Sequence, residues 1–184
     1  MIHDDTSLSE QLILIRECNR AIGSTDKRSV HIEGLLHRAF SIFLLDQDGR
    51  LLLQRRQAGK YHSGGLWANA CCGHPRPGEA TGVAANRRLQ EELGITARLK
   101  YQFRVRYRTR VSPTMEENEL AYIYFGRLDQ RPSPNPAEID EISFLNLQEL
   151  RDFREGHPEQ MAPWLRHYVD NHYDQLASSA RRLP

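Results

Sequence analysis

Two glutamates that stand two positions apart, Glu117 and Glu119, begin a run that continues as Leu-Ala-Tyr-Ile-Tyr-Phe. Residues two apart in a strand point to the same face, so both carboxylates would enter a core together with Ala121, Ile123 and Phe125. Two like charges in a core are costly unless a metal ion neutralises them or one carboxyl has a raised pKa. The alternative is a frayed strand end that leaves both carboxylates in solvent. The pair therefore indicates either a metal site or an exposed edge.

Three histidines could join these carboxylates. His31 and His37 stand at the two ends of HIEGLLH, ahead of the first long apolar run, and His74 follows Cys72-Gly73. Imidazole is the commonest metal ligand among side chains, although a lone histidine is more often structural. Together with the two glutamates the three histidines could complete a site of five ligands. The other five histidines fall in no recognisable pattern: His3, His62, His157, His167 and His172.

A cysteine, Cys72, stands two positions before His74. A cysteine acts as a nucleophile or base only as thiolate, a form that a nearby metal or cation favours. The Gly-His-Pro sequence that follows Cys72 predicts an exposed, shaped loop. A zinc site built from Cys71, Cys72 and His74 is an alternative, although the chain lacks the C-x-x-C pairs typical of such sites. Cys18 and Cys71 also suit the interpretation of small buried hydrophobic residues.

The segment 73–95, GHPRPGEATGVAANRRLQEELGI, resembles the Nudix box, a loop, helix and loop whose carboxylates hold a divalent cation against a diphosphate. Mg²⁺ is usually held in this way, by a few carboxylates together with substrate phosphates. The box expects an acidic residue directly after Arg87, and this chain has Arg88 there. The alternative is a surface helix on which Arg87 pairs with Glu91, and Arg88 with Glu92, as solvated ion pairs.

The elements that must position these residues follow from hydrophobic spacing. Strands are predicted over 11–18, 101–111, 117–127 and 142–145, with a turn at 23–26 and a polar stretch to His31 between the first strand and the rest. A hairpin is predicted over 37–56 around Asp48-Gly49. Residues 57–79 are too rich in Gly and Pro to be regular throughout, and helices are predicted over 79–93, 148–154 and 163–177. This order favours a mixed sheet with helices on its faces, an α+β fold or three-layer α/β sandwich.

Composition excludes several classes of partner. The 184 residues carry 25 basic and 24 acidic side chains, and a net charge of +1 argues against bulk attraction to nucleic acid or an anionic membrane. No apolar run approaches the roughly 18 residues of a membrane helix, and the N-terminus does not read as a signal peptide. Three cysteines, an odd number, favour a reducing compartment, so a cytoplasmic location is expected. The length predicts one domain over 1–184, with the N-terminal strand and C-terminal helix as extensions of it.

These motifs together resemble the type I isopentenyl diphosphate isomerases of the Nudix superfamily. The resemblance rests on the paired histidines before Ala-Phe-Ser, LLLQRR, WANACCGHP, the degenerate Nudix helix, Glu-Asn-Glu and a late Pro-Trp, and it runs from about Lys27 to Trp164. It implies a Nudix-like mixed sheet with flanking helices. It also implies isomerisation of isopentenyl diphosphate to dimethylallyl diphosphate through a tertiary carbocation. A Nudix diphosphohydrolase of a nucleoside diphosphate derivative is the alternative enzyme, and a binding domain without turnover is a third hypothesis.

The resemblance also implies a role for each matching residue. One metal ion, Mg²⁺ or Mn²⁺ with Zn²⁺ also open, would be held octahedrally by His31, His37, His74, Glu117 and Glu119. A second Mg²⁺ would join Glu92 to the substrate diphosphate. Cys72 and Glu119 would be the catalytic pair, Tyr107 would assist them, and Lys27, Arg56 and Lys60 would grip the diphosphate. Trp164 would face the isoprenoid, or anchor the C-terminal helix in the core. The only partner expected is this small-molecule diphosphate, and the sequence carries no signal for oligomeric state.

Overall fold

The structure is a computed structural model that describes residues 10–183. Residues 1–9, which include His3 and most of the N-terminal segment that does not read as a signal peptide, lie outside the described residues. The strands are β1 Gln11–Ile15, β2 Ala21–Asp26, β3 His37–Leu45, β4 Leu51–Arg56, β5 Trp67–Asn69, β6 Cys71–Gly73, β7 Lys100–Ser112, β8 Met115–Arg127 and β9 Ile139–Leu145. The α-helices are α1 Lys27–Glu33, α2 Thr81–Leu93, α3 Leu147–Gly156 and α4 Pro163–Arg181, with a 3-10 turn at Pro158–Gln160.

β3 is the strand around which the sheet is organised. It runs parallel to β8 along its whole length and antiparallel to β6, and β8 in turn pairs antiparallel with β7. β4 pairs antiparallel with β5 and β9, while β1 lies between β2 and β3. The mixed sheet predicted from the order of elements is confirmed.

Both faces of β3 are buried, and each face packs against a different helix. Phe40 and Ile42 belong to a core with Leu89 of α2, whereas Phe43 lies in the opposite core, where its ring meets that of Tyr168 of α4 at 6.1 Å. Alternate residues of a strand point to opposite faces, so one strand supplies two cores. The three-layer arrangement, with α2 and α4 on opposite faces of the sheet, is the predicted one.

The turn at Asp48-Gly49 is confirmed, but the predicted pairing of the two strands that flank it is wrong. Gly49 has a positive φ of 77°, which glycine adopts without strain, and the chain reverses there. β3 and β4 are paired only at Leu45 and Leu51, next to the turn. The strands then diverge because β8 and β6 take both edges of β3, and β4 pairs with β5 and β9 instead.

The predictions for the N-terminal segment were wrong in detail. The first strand ends at Ile15 rather than residue 18, and Ala21–Asp26 is a second strand rather than a turn. This strand is largely exposed and polar, so it lacks the apolar alternation on which a strand prediction depends. The polar stretch to His31 is helix α1, which Asp26 caps and which ends at Gly34 in the left-handed region, φ 61°.

Other boundaries shift by a few residues. α2 begins at Thr81 rather than residue 79, β8 begins at Met115, and β9 begins at Ile139. α3 and α4 are longer than predicted, and the irregular segment 57–79 contains the two short strands β5 and β6. Within residues 10–183, no helix combines the length and apolarity that crossing a membrane requires.

Candidate active site and metal centre

Strand register brings three predicted site residues into one row. Glu119 of β8 is the register partner of His37 on parallel β3 and of Tyr107 on antiparallel β7. The Tyr107 hydroxyl donates to Glu119 Oε2 at 2.6 Å, and its oxygen lies 2.9 Å from Glu117 Oε2. Both glutamates are buried, 6% and 5% exposed, so the solvated alternative for this pair is wrong.

Two further histidines reach this row from outside it. His31 lies on α1 and His74 directly follows β6, and both are buried. His31 donates its Nδ1–H to the Lys27 carbonyl at 2.7 Å, and His37 donates its Nδ1–H to the Leu35 carbonyl at 2.8 Å. This hydrogen bond fixes the tautomer, so each Nε2 keeps a lone pair for another partner.

Four of the five predicted metal ligands come together. The donor atoms of His31, His37, His74 and Glu119 all lie within 4.8 Å of one another. His74 Nε2 is 3.0 Å from Glu119 Oε1, and His37 Nε2 is 3.2 Å from His74 Nε2 and 3.3 Å from Glu119 Oε1. Donors on adjacent corners of an octahedron with bonds of about 2.1 Å stand about 3.0 Å apart. The cluster therefore fits a divalent cation.

The fifth predicted ligand, Glu117, groups with a histidine that the sequence did not single out. His62, Glu117 and His31 form a second set of donors within 4.8 Å of one another, and His62 Nε2 is 3.5 Å from Glu117 Oε1. His62 lies in the irregular segment before β5, where no periodicity signals burial. We call the six residues His31, His37, His62, His74, Glu117 and Glu119 the histidine centre. Within residues 10–183, neither cysteine of the alternative zinc site belongs to a cluster of possible metal ligands.

Burial favours the neutral form of three imidazoles of the histidine centre, those of His31, His62 and His74. Burial lowers the pKa of His31 to about 3 and that of His74 to about 4. Burial and the neighbouring charge of Glu119 raise the pKa of Glu117 to about 8. Burial alone would raise the pKa of Glu119, but hydrogen bonds with His37 and His74 hold it well below its ordinary value. Neutral imidazoles around an ionised carboxyl are the donor set that a divalent cation takes.

Cys72 lies on strand β6, half-buried, not in the exposed loop that its neighbours predicted. Its register partner is Ser41, whose hydroxyl lies 3.3 Å from Cys72 Sγ, and Sγ donates to Asn69 Oδ1 at 3.2 Å. Burial raises the pKa of Cys72 to about 12, despite these hydrogen bonds. The structure thus holds Cys72 as a thiol at the wall of the same pocket that Tyr107 and Glu119 line.

Four cationic side chains line the same pocket. Lys27, Arg56 and Lys60, the predicted diphosphate ligands, are joined there by Arg88, and we call these four the cationic region. Burial lowers the pKa of Lys27, and the nearby charges of the other three lower it further, although Glu10 opposes them. Mutual repulsion of this kind indicates a place for an anion.

Carboxylates partly balance the cationic region. Arg88 Nη2 lies 2.5 Å from Glu92 Oε1, so the predicted pair forms, but it is largely buried rather than solvated. Glu138, which the sequence did not single out, pairs with Lys60 at 2.5 Å and with Arg88 at 3.5 Å. The second predicted pair, Arg87 with Glu91, is present at 3.3 Å, and Arg87 also pairs with Glu79 at 2.8 Å.

Trp164 anchors α4 in the core, which is one of the two predictions made for it, and it also lines the pocket. It is 3% exposed. The guanidinium of Arg56 lies 5.2 Å from the centre of its ring, and the ring of His62 meets it edge to face at 5.9 Å. Trp164 therefore joins the core, the cationic region and the histidine centre.

Comparison with known proteins is consistent with this geometry. The sequence is 48% identical to an isopentenyl-diphosphate Delta-isomerase of Serratia proteamaculans over 85% of this chain and 88% of the relative. It is 45% identical to isopentenyl-diphosphate Delta-isomerase 2 of Aromatoleum aromaticum, over 89% of this chain and 86% of that one.

Solved structures agree on the fold. A crystal structure of a Deinococcus radiodurans protein superposes with a TM-score of 0.73 at 22% identity, covering 89% of this chain and 99% of that one. The MutT protein of Methanosarcina mazei superposes with a TM-score of 0.63 at 19% identity, covering 77% of this chain and 95% of that one. The family described as NUDIX domain matches residues 35–169. The chain therefore belongs to the NUDIX domain family, in the branch whose curated members are named isopentenyl-diphosphate Delta-isomerase.

Proposed function

We propose that this enzyme isomerises isopentenyl diphosphate to dimethylallyl diphosphate. The observation that carries the proposal is that Cys72 and the hydrogen-bonded pair Tyr107 and Glu119 line one pocket together with the cationic region. Close relatives over most of the chain carry the name of this activity. We place the enzyme in the cytoplasm, which the three cysteines favour.

The reaction moves a double bond from the terminal to the allylic position. Glu119 as a carboxylic acid gives a proton to the terminal carbon, which leaves a tertiary carbocation, and Cys72 as a thiolate takes a proton two carbons away. The pair holds one proton before and after turnover, so nothing is oxidised or reduced. With no metal ion bound, burial raises the pKa of Cys72 and hydrogen bonds lower the pKa of Glu119, so a proton must pass from Cys72 to Glu119 before the forward reaction.

Two aromatic residues support the proton transfers. Tyr107 donates its hydroxyl to Oε2 of Glu119 at 2.6 Å and so orients the carboxyl. Trp164 offers an aromatic face to the carbocation, an interaction worth about 2 kcal/mol when desolvated. Burial of both aromatic residues excludes water, which would otherwise capture the cation.

The cationic region binds the diphosphate. Lys27, Arg56 and Lys60 line the pocket, and charged donors of this kind form short, strong hydrogen bonds with phosphate oxygens. Glu92, in the same pocket, would hold the Mg²⁺ that accompanies the diphosphate.

The histidine centre would hold the other cation through His31, His37, His74, Glu117 and Glu119, with Mg²⁺, Mn²⁺ and Zn²⁺ as candidates. When bound there, a divalent cation supplies positive charge that stabilises the buried carboxylates.

A Nudix diphosphohydrolase is the less supported alternative. Arg88 stands where the box expects an acidic residue, and its guanidinium is engaged by Glu92 and Glu138. The carboxylate that would activate a water is therefore replaced by a cation.

Incubation with isopentenyl diphosphate in D₂O, followed by NMR, separates the two activities. The proposal predicts deuterium in the carbon skeleton and dimethylallyl diphosphate as product. Release of phosphate or diphosphate with an unlabelled skeleton would contradict it and favour the hydrolase.

A further inference from the structure

We infer that His62 is a sixth protein ligand of the histidine centre, so that one divalent cation is held by four imidazoles and two carboxylates. The inference rests on the metal centre of the proposed function and extends its ligand set. It starts from the two overlapping groups of donors, which share His31.

The shared histidine decides how many ions these donors can bind. His31 Nδ1 donates its hydrogen to the Lys27 carbonyl, so Nε2 carries the one free lone pair of the ring. Within residues 10–183, this buried Nε2 has no hydrogen-bond partner. One nitrogen lone pair binds one metal ion, so the two groups cannot each use His31 for an ion of their own. The two groups overlap at His31, but their six donors do not all lie within 4.8 Å of one another, so one ion uses all six only if binding draws the two groups together.

The number of donors then matches one coordination sphere. One group adds His37, His74 and Glu119 to His31, and the other adds His62 and Glu117. Because His31 belongs to both groups, together they contain six side chains. Six is the number of ligands in an octahedral site. The five ligands expected from the sequence leave one position, and in the described part of the chain His62 is the further side chain whose donor groups with two of them, His31 and Glu117.

The structure holds His62 in place from three sides. Its side chain is 3% exposed and its Nε2 lies 3.5 Å from Glu117 Oε1. Nδ1 lies 3.3 Å from the Ser63 hydroxyl, and the ring packs edge to face on Trp164. Arg56 donates to the His62 carbonyl at 3.3 Å, which ties the backbone here to the cationic region.

A glycine allows the segment to fold back so that His62 faces inward. A Cβ added at Gly64 would come within 2.3 Å of the Ala58 carbonyl oxygen, a contact that no side chain can make. The close approach of residues 58 and 64 closes a tight loop, from which His62 projects into the centre. Ser63 adopts a positive φ of 51°, which adds to the sharpness of this turn.

Metal affinity of two variants tests the inference. His62→Ala removes the donor, and His62→Gln keeps a group that can hydrogen-bond Glu117 but is a poor ligand for a divalent cation. We expect both to bind Mn²⁺ about 100-fold more weakly than the parent in a chelator competition. Added imidazole should restore binding in His62→Ala. The matched control is exposed His157→Gln, which should bind as the parent does.

Three results would overturn the inference. Unchanged Mn²⁺ affinity in His62→Ala removes His62 from the centre. Parent-like affinity in His62→Gln, with loss in His62→Ala, makes His62 a positioning residue for Glu117 rather than a ligand. A crystal structure of the parent with Mn²⁺ needs no variant to fold, and a distance above 3 Å from His62 Nε2 to the metal contradicts ligation, whereas about 2.2 Å supports it.

The same samples distinguish this inference from the proposed function. If the parent isomerises the substrate in D₂O but its crystal structure shows no contact between Mn²⁺ and His62, only the inference of a sixth ligand is refuted. A parent that binds Mn²⁺ through six side chains and does not isomerise the substrate refutes the function and leaves the ligand set standing.

Discussion

Two regions of the pocket are built in opposite ways. In the histidine centre, strand register places Glu119 beside His37 and Tyr107, and neutral imidazoles surround carboxylates that need a cation. In the cationic region, long side chains converge from α1, the end of β4, the following loop and α2, and they need an anion. Under the proposed function the two regions divide the work, since Glu119 of the histidine centre transfers a proton and the cationic region holds the diphosphate.

The largest expected effect is that of Glu119→Gln. The amide cannot give up a proton to an alkene and is a weaker ligand, so we expect kcat to fall about 10⁴-fold and the bound metal to be lost. Metal analysis together with steady-state kinetics checks both. Glu116→Gln is the matched control because Glu116 lies on the other face of β8 and pairs with exposed Arg108. A Glu119→Gln variant with normal rates would remove the proton-transfer role from the histidine centre.

Cys72→Ala should separate chemistry from binding. We expect kcat to fall about 10³-fold, while the affinities for metal and for inorganic diphosphate stay within a factor of about two, since Cys72 belongs to neither set of charged ligands. Calorimetry and kinetics on the same preparation give both values. Exposed Cys18→Ala should behave as the parent. Full activity of Cys72→Ala is the outcome that would exclude Cys72 from the mechanism.

Lys60→Ala should affect only substrate binding by the cationic region. Loss of one charged hydrogen bond to the diphosphate, worth about 1.5–3 kcal/mol, should raise KM about 10- to 100-fold and leave metal content unchanged. Lys100→Ala, at the start of β7, is the control. A fall in metal content with an unchanged KM would show that the two regions do not divide the work as described.

The smallest effect is expected at Asp26, whose carboxylate caps the helix that carries both Lys27 and His31. Asp26→Ala should lower Tm by about 2–4 °C and weaken both metal and diphosphate binding slightly. Asn146→Ala removes the equivalent cap of α3, so it should lower Tm similarly and leave both affinities unchanged. Equal effects of the two variants on binding would contradict a link through α1.

The cap also predicts a pH dependence. Hydrogen bonds from the Ser29 backbone and side chain lower the pKa of Asp26 below its ordinary 3.8. A carboxyl with a lowered pKa in the folded state stabilises the fold above its ordinary pKa and loses that contribution as the pH falls. The difference in Tm between the parent and Asp26→Ala should therefore be full at pH 6 and should shrink below pH 4. A difference that grows on acidification would contradict the capping role.

Residues whose positions follow from strand periodicity were predictable from the sequence. Residues whose positions depend on a reversal of the chain were not. Glu117 and Glu119 share a face because their spacing is two. His62 and Glu138 lie in irregular segments, so their positions depend on close backbone contacts such as Gly64 against Ala58. The Gly and Pro residues that follow Cys72 predict a loop, yet pairing with Ser41 makes its segment a strand.

A structure of the protein with Mg²⁺ and an unreactive analogue of isopentenyl diphosphate tests the division of the pocket most directly. The account predicts the diphosphate on Lys27, Arg56 and Lys60, and the hydrocarbon between Cys72 and Glu119 with Trp164 alongside. A diphosphate bound within the histidine centre, or a hydrocarbon that reaches neither Cys72 nor Glu119, would contradict it.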